Sequence, residues 1–142
     1  MDTQTSVDVN VSAKTAFALL SDFSKNPDWQ DGMVRCTWTS TGAIDVGSTY
    51  EQEARFMGKA ILSTFQVTQF TPNRSVSIES LVSTFPIQVR RWVEPLGPKS
   101  CRIHAKVTGQ PPWYMRLPGM GTMVARSVAQ DYERLKRLLE SD

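Results

Sequence analysis

The 142-residue chain has one histidine, His104, and two cysteines, Cys36 and Cys101. That scarcity excludes much chemistry. One imidazole and two thiols far apart in sequence cannot make an ordinary zinc site. Each cysteine falls in a predicted strand, where a free buried thiol is the simplest expectation. No Gly-rich phosphate loop follows a strand; Gly119-Met120-Gly121 is a partial match that leads to no P-loop lysine. Charge of one sign is also lacking. Sixteen Lys and Arg against 14 Asp and Glu give a net charge of +2, too weak and dispersed to predict nucleic-acid binding. The basic cluster Arg134-Leu135-Lys136-Arg137 is accounted for by the negative end of a helix dipole. No charged-then-apolar leader is seen, and no apolar run approaches the ~18 residues of a membrane span. A soluble, cytoplasmic protein without stable membrane insertion is expected. Repeats, linkers and low-complexity tracts are absent too.

What is present is a chain with 40% hydrophobic and 21% charged residues, enough for one globular domain over residues 1–142. Ser6 to Val11 alternates apolar and polar residues and predicts a strand. Ser12 is a good N-cap for a helix from Ala13 to about Phe23. Asn26-Pro27-Asp28-Trp29 starts a short second helix that Gly32 ends. Six further strands follow: about Val34–Ser40, Ser48–Phe56, Ala60–Phe70, Ser75–Val82, Phe85–Glu94 and Ser100–Thr108. Met57-Gly58-Lys59 reads as a tight hairpin and Pro95-Leu96-Gly97-Pro98 as a loop. From Met120 to Leu139 the apolar residues Val124, Val128, Tyr132, Leu135 and Leu139 are spaced by three and four, one face of a long helix. Hairpin-like links in series predict an antiparallel meander, and the helix stripe has only that sheet to cover it.

Alternation divides each strand into faces. Arg102, His104 and Lys106 share one face, so His104 is expected at the surface, away from any Ser/His/Asp arrangement. The opposite faces carry Val34, Cys36, Trp38, Tyr50, Gln52, Ala54, Phe56, Ile61, Phe65, Val67, Val76, Ile78, Ile87, Val89 and Val93. Arg91 shares a face with Ile87, Val89 and Val93. If that face is inward, its guanidinium needs a partner: Asp131, Gln52 or an acidic ligand. The alternative is a bulge that exchanges Arg91 with its neighbours.

Several stretches together resemble the START-like, or SRPBCC, superfamily, which includes the polyketide cyclase/dehydrase group. They are Val11-Ser12-Ala13-Lys14-Thr15-Ala16-Phe17-Ala18-Leu19-Leu20-Ser21-Asp22-Phe23, Asn26-Pro27-Asp28-Trp29, Val46-Gly47-Ser48-Thr49-Tyr50, Val67-Thr68-Gln69-Phe70-Thr71-Pro72 and Asp131-Tyr132-Glu133-Arg134-Leu135-Lys136. The resemblance implies an α+β helix-grip fold. A curved seven-stranded antiparallel sheet would hold the long C-terminal helix over a cavity, with two short helices between strands one and two. It also implies binding or carriage of a small, mainly hydrophobic ligand there. On that reading Trp38, Tyr50, Gln52, Phe56, Phe65, Val89, Arg91, Val128 and Tyr132 would line the pocket, an ordinary dry core being the competing account. No cofactor is implied. One alternative is a cyclase- or aromatase-type enzyme using Arg91, Tyr132 or Gln52 on a carbonyl or proton. Another is an accessory module that binds a partner protein. The Trp113-Tyr114-Met115 cluster is expected near the cavity mouth. Gly119 and Gly121 suggest either a helix that starts a turn late or a hinge there.

Overall fold

A computed structural model describes residues 2–56, 58–112 and 116–141, with the backbone alone at Phe56. The predicted Met57 turn position and the Trp113-Tyr114-Met115 cluster lie outside the described residues. The elements are β1 (Asp2–Val9), α1 (Ala13–Leu20), a 3-10 helix (Phe23–Asp28), β2 (Met33–Trp38), β3 (Thr49–Phe56), β4 (Lys59–Thr71), β5 (Ser75–Val82), β6 (Ile87–Gly97), β7 (Ser100–Gly109) and α2 (Met120–Glu140). All strands form one sheet in the order β1-β7-β6-β5-β4-β3-β2, every neighbouring pair antiparallel. This is the antiparallel meander that the alternation predicts and the helix-grip arrangement that the family resemblance implies.

Local chemistry sets the boundaries. The Ser12 side chain accepts the Thr15 N–H and opens α1. α1 stops at Leu20, three residues before the expected Phe23. There Ser21 Oγ returns its hydrogen bond to the Phe17 carbonyl at 2.8 Å. Asp22 then caps the 3-10 helix through Ser24 N–H at 3.1 Å, so two capped turns replace one continuous helix. β1 begins at Asp2 rather than Ser6, because β7 supplies partners as far as the pair Asp2 and Thr108. β6 runs through Pro95, where a loop was expected. Its pairing with β5 ends at Trp92, so the missing proline N–H disturbs no ladder on that side, while Pro95 still lies opposite Cys101. Val34, expected inward, is 49% exposed. A register irregularity between Met33 and Arg35 turns it outward and brings Met33 against the core instead.

The core fills the concave side of the sheet under α1, the 3-10 helix and the C-terminal half of α2. Val9, Phe17, Leu20, Phe23, Ile103 and Leu135 are all buried there. The last turns of α2 are tied to β1: Lys136 Nζ donates to the Asp8 carbonyl at 2.7 Å, and Asn10 N–H donates to Glu140 at 2.8 Å. Its first turns are held far less. Met120, Val124 and Val128 are only half-buried, and the buried residues of the helix are Asp131, Tyr132 and Leu135. No helix of the described residues is long and apolar enough to cross a membrane.

Candidate functional site

The grip divides into a solid half and a hollow half. In the solid half, Tyr50 stacks between Phe23 at 5.2 Å and Phe65 at 5.4 Å, with Trp38 edge-on at 5.3 Å. The Trp38 indole N–H donates to Asp22 at 2.8 Å. Arg91 does face inward and is 2% exposed. Opposite it on β7 stands Ala105, whose small side chain leaves room for it. The guanidinium lies 4.2 Å from the Phe23 ring and 4.8 Å from the Trp29 ring. Its Nη1 donates to the Leu20 carbonyl and to Asn26 Oδ1, both at 3.0 Å.

Neither protein partner expected for Arg91 is the one it has. Asp131 instead accepts the Asp31 N–H at 3.0 Å and pairs with Arg134. Burial raises the Asp131 carboxyl above its usual value, against the pull of those two contacts. Tyr132 stands edge-on to Trp29 at 5.0 Å. Burial pushes its phenol up, with the charge of Arg91 opposing. Trp29 and Asn26, both buried beside Arg91, were not foreseen as its surroundings. The pattern Asn26-Pro27-Asp28-Trp29 was read as the start of a short helix, which in fact begins at Phe23, and gave no sign of which side chains point inward.

The hollow half is a cavity of about 240 Å³ under the N-terminal half of α2. β3 contributes Gln52 and Ala54 to it, and β4 contributes Ile61 and Ser63. Ile87, Val107 and Gly109 form the far wall with Thr3. Met120 and Val124, four residues apart on α2, make the roof. Phe85 and Pro111 complete the lining, beside the Gln110 N–H to Pro86 carbonyl bond that joins the two connecting segments.

Of the residues expected to line a pocket, Gln52 borders this cavity. Trp38, Tyr50, Phe65, Arg91 and Tyr132 belong to the packed half, and Val89 and Val128 lie at its edge. The Phe56 side chain lies outside what is described. Thr3 was missed because it lies among polar residues before the strand expected at Ser6, Ser63 because a polar residue between Ile61 and Phe65 on one face was passed over, and Phe85 because it opens its strand next to Pro86. A larger groove of about 340 Å³ on the outer face is bordered by Thr68, Gln88, Arg90 and Lys106; its side chains are solvated and it is not a shielded site. His104 is on that outer face as expected, stacked on Trp92 at 5.1 Å and 3.1 Å from Glu94.

No group of three or more His, Cys, Asp and Glu among the described residues is placed to hold a metal ion. Cys36 and Cys101 are both free and buried. Burial pushes the Cys36 thiol up to about 11, with Arg91 pulling the other way.

A comparison with curated proteins gives no match. Among solved structures, a START superfamily protein from Mycobacterium smegmatis is 21% identical with a TM-score of 0.74, over 98% of this chain and 94% of that one. The Zhui aromatase/cyclase from Streptomyces sp. R1128 is 12% identical with a TM-score of 0.77, over 99% and 93%. A protein from Thermus thermophilus, TTHA0849, has the same identity and TM-score over 99% and 94%. At these identities the likeness is one of fold. The family model described as polyketide cyclase / dehydrase and lipid transport matches residues 1–140. With the family's pattern running nearly end to end over a sheet that grips its last helix, this chain belongs to the polyketide cyclase/dehydrase and lipid-transport family.

Proposed function

We propose that the protein binds or carries a small, mainly hydrophobic ligand in the cavity between the sheet and the N-terminal half of α2. One observation supports this most. The described lining is aliphatic and aromatic with a few neutral polar groups, and it contains no ionisable side chain. Apolar surface taken out of water there contributes about 25 cal/mol per Å². A volume of about 240 Å³, just under the usual range of ligand pockets, suits a compact ligand. A cyclase-type activity would need a group that moves a proton or stabilises an enolate. The two strongest candidates for that work, Arg91 and Tyr132, are instead engaged in the core. Binding is therefore the better reading.

Filling the space tests it. Val124→Phe projects a ring from α2 into the cavity. The variant should fold with an equal or higher melting temperature and lose binding of the neutral dye N-phenyl-1-naphthylamine, read as its fluorescence rise. A rise as large as that of the unaltered protein would mean that the dye sits elsewhere and would defeat the proposal. Native mass spectrometry of freshly isolated protein should also show a co-purified hydrophobic compound.

A further inference from the structure

The concave face of β2–β4 is layered by the strand register. Trp38, Tyr50 and Phe65 are cross-strand neighbours in one row. Cys36, Gln52 and Ser63 form the next row toward the β3–β4 turn, and Ala54 and Ile61 the one beyond. Alternate residues share a face, so successive rows are about 6.6 Å apart. The first row is the closed aromatic stack. The last row borders the cavity wall. The middle row is therefore the cavity floor, and it is polar.

Its hydrogen bonds leave donors unused. Ser63 Oγ and Ser83 Oγ are 3.1 Å apart. The Cys36 thiol, which burial keeps protonated, donates to Gln52 Oε1 at 4.0 Å. The Gln52 amide nitrogen makes no hydrogen bond among the described residues, and Gln52 is one of the residues that line the cavity. A ligand oxygen is the complement of that N–H and of the Ser63 hydroxyl. No described lining group offers a counter-charge. Arg91 is not among the lining residues: it is buried on the packed side of the floor, held by two carbonyl acceptors and two rings, and its unpaired Nε is buried with it. A carboxylate or phosphate in the cavity would thus be desolvated without compensation.

We infer that the cavity selects an uncharged ligand held polar end down. A carbonyl or hydroxyl oxygen meets the Gln52 amide and the Ser63 hydroxyl, and the apolar body lies along Ile87, Val107 and Val124. This inference rests on the cavity being a ligand site. It separates neutral ketones and alcohols from fatty acids, acyl phosphates and charged headgroups.

The test uses one skeleton with three ends: tetralin, 1-tetralone and 1,2,3,4-tetrahydro-1-naphthoate, titrated calorimetrically at pH 7. The ketone should bind about tenfold more tightly than the hydrocarbon, the size of one buried hydrogen bond. It should bind at least about a hundredfold more tightly than the carboxylate, whose charge would be buried unpaired. Gln52→Leu should remove the ketone's advantage over tetralin, weakening the ketone and tightening tetralin, which then no longer covers an unpaired amide. A carboxylate that binds as tightly as the ketone overturns the inference in the unaltered protein alone, whether or not the variant folds. So does an unchanged ketone-to-hydrocarbon ratio in a folded Gln52→Leu. If none of the three compounds binds the unaltered protein, the cavity reading itself is wrong.

Discussion

Arg91 shows how a charge can be accommodated without an acid. Two carbonyl-type oxygens and two ring faces replace its water, each an established cation partner. Its Nε is nonetheless buried without an acceptor, so the site is not fully compensated. Volume should then matter more than charge. Arg91→Ala leaves a void between Phe23 and Trp29 and strips the donors from Leu20 and Asn26, at a cost of about 3–5 kcal/mol. Arg91→Met keeps the bulk and removes the desolvation penalty, so it should stay within about 2 kcal/mol of the unaltered protein. Urea midpoints at constant m-value separate the two. Equal losses would show that the guanidinium charge itself holds this half of the core together. The thiols give a second check at this scale. Burial raises both Cys36 and Cys101, and thiolate is the reactive form. Neither should react with Ellman's reagent at pH 8 until the protein unfolds. A thiol released at the mixing step would mean that the cavity floor opens in the native state.

The element whose two halves differ most is α2. Its C-terminal half is locked by Leu135 and by the ties to Asp8 and Asn10. Its N-terminal half roofs a void. The helix starts at Met120, so the expectation of a start one turn later is overturned. Gly119 is the N-cap at φ +77, with no side-chain cap hydrogen bond. At that angle an L side chain is strained, whereas Gly121 is helical and has nothing within 4 Å of an added Cβ. The two glycines should therefore respond oppositely. Gly121→Ala should stabilise by about 0.5–1 kcal/mol, and Gly119→Ala should destabilise by about 1–2 kcal/mol. Both are read as shifts in thermal midpoint. Stabilisation by both substitutions would place Gly119 in ordinary helical geometry. Whether the turn acts as a hinge is a kinetic matter, measured as a change in ligand exchange rates in Gly121→Ala at unchanged affinity.

Across the whole molecule, the legible features were those that follow a period. Alternation in β3, β4 and β7 and the three-four spacing of α2 settled which faces are buried, because a sheet face and a helix stripe must be covered by each other. The same patterns placed His104 outside, and left Arg91 to be inward or exchanged with its neighbours by a bulge, which the structure resolves as inward. Boundaries were less legible where partners lie far along the chain. β1 was read short because Asp2 to Thr5 is polar, and only β7 shows that it is paired. β6 was cut at Pro95 because a proline is tolerated there only when one neighbour is missing, a fact of topology. Val34 was turned outward by an irregularity of pairing that leaves no mark on the residues themselves.

The sequence by itself determined the family, the order of elements and the existence of an inward apolar face, since these depend on local periodicity and on motifs that keep their spacing. Only the tertiary structure decided which part of that face is hollow. Trp38, Tyr50, Phe65, Arg91 and Tyr132 are as large and inward-facing as any pocket residue, and α1 with the 3-10 helix closes over them and packs the space solid. Gln52, Ser63, Ile87 and Val124 stand where no such element covers them, so the gap beneath α2 stays open. The physical reason is that a cavity is a deficit of neighbours. Side chains contributed by six separate segments share it, and no single segment of the chain encodes their distance apart.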